Sequence, residues 1–299
     1  MRQSIRALCD ESAWTPWQPL KKSWLGTALP ACPGLYRIRL VDREMEQIAY
    51  IGQSGEGLRS RVYALRHIYK EEMPYKAPHT AGPGLWALRH KYPTLSFEIS
   101  VAPLPTVPDV LRLGLECLAV ALVRQNTRSS PLCQFGRMPD GYAPSSGNDK
   151  RLVLAGKRFR GGTTTLALDC HLPGIEPQGS LESNQPHSRE WCGHHWTPWI
   201  AMHSLNPVGE EGLYRLRIAD LDPLVFLGHG KLVDRLKSIQ PLEHMECSWV
   251  SDPAWYSHQR LELLTDLIAA HLLSTATLPL WQFEPSHDDP GGEPLVKAS

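Results

Sequence analysis

The chain has 299 residues, enough for two ordinary domains, and its 42% hydrophobic and 21% charged content excludes a largely disordered protein. The formal net charge is zero, but residues 1–150 hold 19 Lys+Arg against 13 Asp+Glu while residues 151–299 hold 12 against 18, so only the first half has a cationic excess suited to phosphates. No apolar run reaches the roughly 18 to 20 residues of a membrane helix and the start, MRQSIRALCDESAW, lacks a signal-peptide core, which points to a cytoplasmic protein without a membrane span.

In chain order, Trp14-Thr-Pro-Trp17 comes first, and Gly34-LYRIRLV-Asp42 follows with apolar and polar side chains alternating at period two. Gln47 to Gly52 alternates in the same way after a polar turn, so the two runs predict a hairpin. Leu58, Val62, Leu65 and Tyr69 then recur at helical spacing and predict a helix packed on that hairpin. Leu95 to Val101 predicts a third strand, and Val110 to Arg124 an apolar helix interrupted by Glu116. Residues 138–190 have the Gly, Pro and Ser content of a linker, broken by a possible short strand from Thr163 to Asp169, and 285–299 reads as a disordered tail.

The same blocks return. Trp196-Thr-Pro-Trp199, Gly212-LYRLRIA-Asp220, Val225-Phe-Leu-Gly228, Leu232-VDRL, Asp266-LIAAHLL and Pro279-LWQF match counterparts in the first half, in the same order. The chain is therefore read as a tandem duplication: a first domain over 1–137, a linker over 138–190, a second domain over 191–284 and a tail. The expected class is α+β, each copy a small antiparallel three-stranded sheet flanked by helices.

The first copy resembles the GIY-YIG nuclease family, through Gly34-Leu35-Tyr36, Tyr50-Ile51-Gly52, Leu58-x-x-Arg61-Val62 and Glu116 on a later apolar helix, over about residues 33–137. The resemblance implies a metal-dependent endonuclease with Tyr36, Tyr50, Arg61 and Glu116 as catalytic residues, DNA as the favoured partner, and one Mg²⁺ or Mn²⁺ held by Glu116. The roles agree with phosphodiester hydrolysis, which needs an activated water, a cation near the non-bridging oxygens and stabilisation of developing charge. A phenol with an ordinary pKa near 10 is a poor base at neutral pH, so a nearby cation must assist it, and Arg61 would supply both that field and a grip on the phosphate. A structural reading of Glu116 is a helix carboxylate paired with an arginine.

Further candidates are His67, six residues after Arg61, and His79 in a Gly/Pro-rich loop. The family's late asparagine has two possible equivalents, Gln134 in Pro131-Leu-Cys-Gln134 and Asn126. Arg59, Arg66, Lys70, Lys76, Arg89 and Lys91, interleaved with aromatic residues, are the expected nucleic-acid contacts. Cys192, His194 and His195 lie close together, but no second ligand pair follows at zinc-finger spacing, so they are read as a polar surface loop. The seven cysteines are scattered and read as reduced thiols.

In the second copy Tyr50 has become Phe226, Glu116 has become Asp266, and the stretch between the arginine helix and the acidic helix is shorter by 24 residues. These losses predict a degenerate copy used for packing, self-association or a protein partner. The alternative for the whole chain is a non-catalytic nucleic-acid-binding or assembly protein on the same fold.

Overall fold

The computed structural model describes residues 2–24, 28–42, 46–145, 154–164, 166, 168–205, 210–219, 221 and 223–284. The tail at 285–299 lies outside them, as do parts of the turn at 43–45 and of the linker. The fold is α+β with antiparallel sheets, and among the described residues no helix is long and apolar enough to cross a membrane.

The chain forms two compact units. The N-terminal unit holds Asp10–Val107 and Pro131–Pro173. The C-terminal unit holds the described residues of Met1–Cys9, Pro108–Ser130 and Gly174–Lys297.

The N-terminal unit is built on β1 (Gln18–Pro19), β2 (Gly34–Val41), β3 (Glu46–Ser54) and β4 (Ser96–Pro103), ordered β1-β4-β2-β3. Tyr36, Ile38 and Leu40 are buried in the core from one face of β2, as alternation predicts, and Arg37 and Arg39 take the other parity. The Trp14-Thr-Pro-Trp17 motif explains itself here. The Arg37 guanidinium lies 4.4 Å from the Trp14 ring centre and 4.6 Å from that of Trp17, while Thr15 Oγ1 accepts a hydrogen bond from Val101 N–H at 3.0 Å. The fourth strand corrects the expected three: β1 is two residues long, too short for any alternation to announce it, and its Pro19 stands at the sheet edge where no donor is missed.

The predicted helix over 57–70 forms in two parts. The short α1 helix, Arg2–Cys9, belongs to the C-terminal unit, and α2 is Leu20–Ser23; the arginine helix is α3, Leu58–Ala64, continued as a 3₁₀ turn over Leu65–Tyr69. Leu58, Val62 and Leu65 are fully buried, as their spacing predicts. A helix for which the sequence carries no expectation is α4, Gly82–Lys91; Pro83 is compatible with its Gly-Pro-Gly start because it occupies the first turn, where a missing N–H is harmless. A two-stranded ribbon of β5 (Tyr142–Ala143) and β6 (Gly162–Thr163) lies within the linker; of the expected strand from Thr163 to Asp169, Thr163 is in β6, and residues 165 and 167 lie outside the described residues.

The C-terminal unit repeats the plan with β7 (Ile200–Ala201), β8 (Glu211–Ile218), β9 (Phe226–Lys231) and β10 (Met245–Ser251), ordered β7-β10-β8-β9. Arg215 lies 4.4 and 4.6 Å from the Trp196 and Trp199 rings, and Thr197 Oγ1 accepts from Trp249 N–H at 3.0 Å, matching the first copy. Helix α6 is Leu232–Ser238. Two 19-residue helices, α5 (Asp109–Thr127) and α7 (Ser257–Thr275), pack together in this unit, so the helix carrying Glu116 clusters with the second repeat's elements. Gly114 of α5 lets the segment after α7 approach closely, since a Cβ there would stand 2.6 Å from the Leu278 side chain. The linker's second half is ordered here: Arg215 donates to the carbonyls of Pro186 and Ser188.

Candidate active site

The hairpin register sets the two tyrosines. Tyr36 faces Gly52 and Ile38 faces Tyr50 across β2 and β3, so both phenols stand on one face, with ring centres 6.1 Å apart. Gly52 must be glycine: a Cβ there would be 2.4 Å from Tyr36 Oη and 2.8 Å from the Tyr50 ring.

The loop before α4 closes over this face. His79 is 2% exposed, and its Nε2 is 2.8 Å from Tyr36 Oη. Ala81 N–H donates to His79 Nδ1 at 3.2 Å, so in the neutral ring the proton sits on Nε2 and is given to the phenol oxygen. Burial, reinforced by the Arg61 charge, holds the His79 pKa well below its usual value and keeps the ring in that neutral form. One residue on, Thr80 Oγ1 is 3.3 Å from the Tyr50 hydroxyl.

Arg61, 9% exposed on α3, donates from Nη1 to the Pro78 carbonyl at 2.7 Å. Its Nε and Nη2 are buried and have no hydrogen-bond partner among the described residues. A guanidinium with two donors left over beside a tyrosine pair is an anion-ready arrangement. Tyr36, Tyr50, Arg61 and His79 are thus brought together. Thr80 was missed in the sequence; its only signal was membership of the Pro-His-Thr-Ala stretch that the second copy lacks.

The remaining candidates separate. Gln134 uses its Oε1 to accept from Ile51 N–H at 3.2 Å, which fastens the 131–134 segment to β3. Gln282 repeats this on Leu227 N–H at 3.1 Å. Asn126 is exposed on the last turn of α5. His67 is half-buried in the 3₁₀ turn, its pKa lowered by burial and by Arg66 and Lys70. Arg59 gives Nε and Nη2 to the Leu29 carbonyl at 3.0 and 2.9 Å, and Arg66 stacks 3.9 Å over Tyr63. Arg89 and Lys91 donate to the carbonyls of Lys70 and Asp140, whereas Lys70 and Lys76 are exposed.

Glu116 stands on α5, in the C-terminal unit, and is 4% exposed. Its charge adds to burial in raising the pKa of the adjacent Cys117. Among the described residues no three His, Cys, Asp or Glu side chains form a group able to cage a metal. A lone carboxylate such as Glu116 could offer a hard divalent ion a single oxygen ligand, and it is not a zinc donor set.

In the second copy the Tyr214 and Phe226 rings are 5.9 Å apart, and a Cβ on Gly228 would lie 2.3 Å from the Tyr214 ring. Asp266, the counterpart of Glu116, is 6% exposed and held by Arg124. The Cys192–His195 segment corrects the surface-loop reading: Cys192 and His194 are buried, and the His194 ring packs 5.9 Å from Trp196 and 5.8 Å from Trp255. Trp196 is two positions away, but Trp255 is distant in sequence. All seven cysteines are free thiols.

Comparison with protein-family models, with characterised proteins and with solved structures yields no match to this chain.

Proposed function

We propose that the chain is a metal-dependent endonuclease of the GIY-YIG kind that hydrolyses phosphodiester bonds, DNA before RNA, through the N-terminal site. The observation that carries this reading is the Tyr36–His79 hydrogen bond, with the imidazole tautomer fixed by Ala81 N–H. A neutral Nε2–H donor stabilises negative charge on the Tyr36 oxygen, which then accepts a proton from the attacking water. Arg61 turns its two remaining donors to the phosphate oxygens. Tyr50, steadied by Thr80, completes the polar wall. The family resemblance assigns one Mg²⁺ or Mn²⁺ to Glu116, an ion that would supply charge neutralisation in phosphodiester hydrolysis when bound.

The second copy keeps Tyr214 but has Phe226 for Tyr50 and an acid occupied by Arg124. It serves packing, self-association or a protein partner in this reading. A single active site makes the chain a nicking enzyme, with double-strand cuts requiring two chains.

The test is supercoiled plasmid incubated with Mg²⁺ or Mn²⁺. The expected product is nicked circle at first order in protein, lost in Tyr36→Phe, Arg61→Ala and Glu116→Gln. Absence of metal-dependent cleavage on plasmid, single-stranded DNA and RNA alike would replace this reading by that of a non-catalytic binding protein.

A further inference from the structure

The linker contributes a feature that none of the site residues requires. Residues 157–160 read Lys-Arg-Phe-Arg and lie in the N-terminal unit. Two of the four are moored to the segment that leads into the His79 loop. The Arg158 guanidinium lies 3.7 Å from the centre of the Tyr75 ring, and that of Arg160 lies 4.7 Å from it. Arg160 also meets Glu72 at 3.2 Å. Immediately afterwards Gly161, at φ +77°, is pressed against Met73 Sδ and Ala143 O, and β6 begins. Ser145 Oγ secures the same ground by donating to the Pro74 carbonyl at 2.7 Å.

Between the two moored arginines Phe159 is 53% exposed. Lys157 is exposed as well. A large aromatic ring about half exposed, with cations before and after it on an anchored segment, is an arrangement that grips a single nucleic-acid strand: bases stack on the ring and phosphates meet the flanking charges. A duplex keeps its base faces stacked inside and cannot use the ring in this way.

We propose that residues 157–160 form an arm that binds unpaired DNA, Phe159 stacking on a base while Lys157 and Arg160 hold neighbouring phosphates. The arm rests on the nuclease reading for its purpose, because it presents the strand from the segment, Glu72 to Tyr75, that runs directly into Pro78, His79 and Thr80. Its consequence is a substrate preference: single-stranded or locally opened DNA is engaged ahead of intact duplex.

The experiment is fluorescence anisotropy of labelled single-stranded DNA, RNA and duplex DNA, without divalent ions, at several salt concentrations. Phe159→Ala weakens single-strand binding between about 5-fold and about 150-fold, the range expected for losing one base–aromatic stack, and leaves duplex binding unchanged. Phe159→Trp retains binding. Lys157→Ala and Arg160→Ala each flatten the dependence of log affinity on log salt by about 0.7. Unaltered single-strand binding by Phe159→Ala, an equal loss on duplex, or tighter binding of RNA than of DNA overturns the arm. Cleavage by the wild-type chain with an unaffected Phe159→Ala sinks the arm alone. Loss of strand binding in Phe159→Ala, with no cleavage by the wild type on any substrate, sustains the arm and sinks the nuclease reading.

Discussion

Arg124 holds Asp266 from two sides, Nε donating to Oδ1 at 2.9 Å and Nη2 to Oδ2 at 3.0 Å. The arginine is fully buried on α5 and also lies 3.5 Å from Glu262, whose own oxygens accept from Ser130 Oγ and Ile175 N–H. The acid that stands where the first copy has Glu116 is therefore an internal brace between α5 and α7. Arg124→Met should strip both carboxylates of their cation and lower stability by about 3–5 kcal/mol, the usual penalty for leaving buried charge uncompensated. Arg124→Met combined with Asp266→Leu should recover only part of the loss, because Glu262 stays buried without its cation. Urea unfolding at neutral pH checks this; a single variant as stable as the wild type would show that the brace carries no net stability.

This pair also marks the limit of what the sequence discloses. The period-two runs of β2 and β8, and the spacing of Leu58, Val62 and Leu65, announce their elements because each is a local pattern with one buried face. The repeated Trp-Thr-Pro-Trp motif announces an equivalence, although its cause, arginines of the next strand stacked on the tryptophans, needs the sheet to be assembled. Arg124 and Asp266 are 142 positions apart, and nothing in either neighbourhood foretells the pairing. The site was half legible. Tyr36, Tyr50 and Arg61 sit in short motifs of fixed geometry, whereas His79 and Thr80 arrive on a loop whose path no periodicity describes. Gln134 shows another limit: the sequence does not foretell that its amide oxygen accepts from the N–H of Ile51.

The Tyr36–His79 contact makes a kinetic prediction. His79→Ala removes the donor to the phenol oxygen while leaving the strand-binding surface in place. The expected result is a fall in kcat of about 10²- to 10⁴-fold, the usual worth of a positioned proton-transfer partner, with the affinity for DNA little changed. The rate of His79→Ala should also rise at higher pH than that of the wild type, because the phenolate has lost its hydrogen-bond donor. A variant with the wild-type pH–rate profile would reduce His79 to a packing residue.

Two glycines give a matched pair. A Cβ at Gly52 meets Tyr36 Oη at 2.4 Å, and one at Gly228 meets Tyr214 Cζ at 2.3 Å, so each alanine should displace the same ring from its place. Overpacking of this kind destabilises by about 1–3 kcal/mol. The stability losses should be similar, but only Gly52→Ala should abolish plasmid nicking. Equal loss of cleavage in Gly228→Ala would mean that the second copy takes part in the chemistry.

Acid should unfold this protein earlier than its carboxylates alone would require. Burial is the leading cause that lowers the pKa of His194 and of His229 to about 4, from an ordinary 6.5, with Arg215 assisting at His194 and Arg260 at His229. His79 moves in the same direction. A folded pKa below the unfolded one means that the unfolded chain binds more protons, so stability is full above pH 6.5 and is lost as the pH falls toward the folded value. At about 1.4 kcal/mol per pH unit for each proton, His194 and His229 should each remove roughly 2 kcal/mol between pH 6.5 and pH 5, above the range where most carboxylates titrate. Urea midpoints measured across that interval should drop steadily in the wild type. The drop should be shallower in His194→Gln, which keeps a polar side chain of similar reach but cannot take up the proton. A flat wild-type profile down to pH 5 would mean that these rings are protonated inside the fold, and that their burial is relieved by water or by local opening.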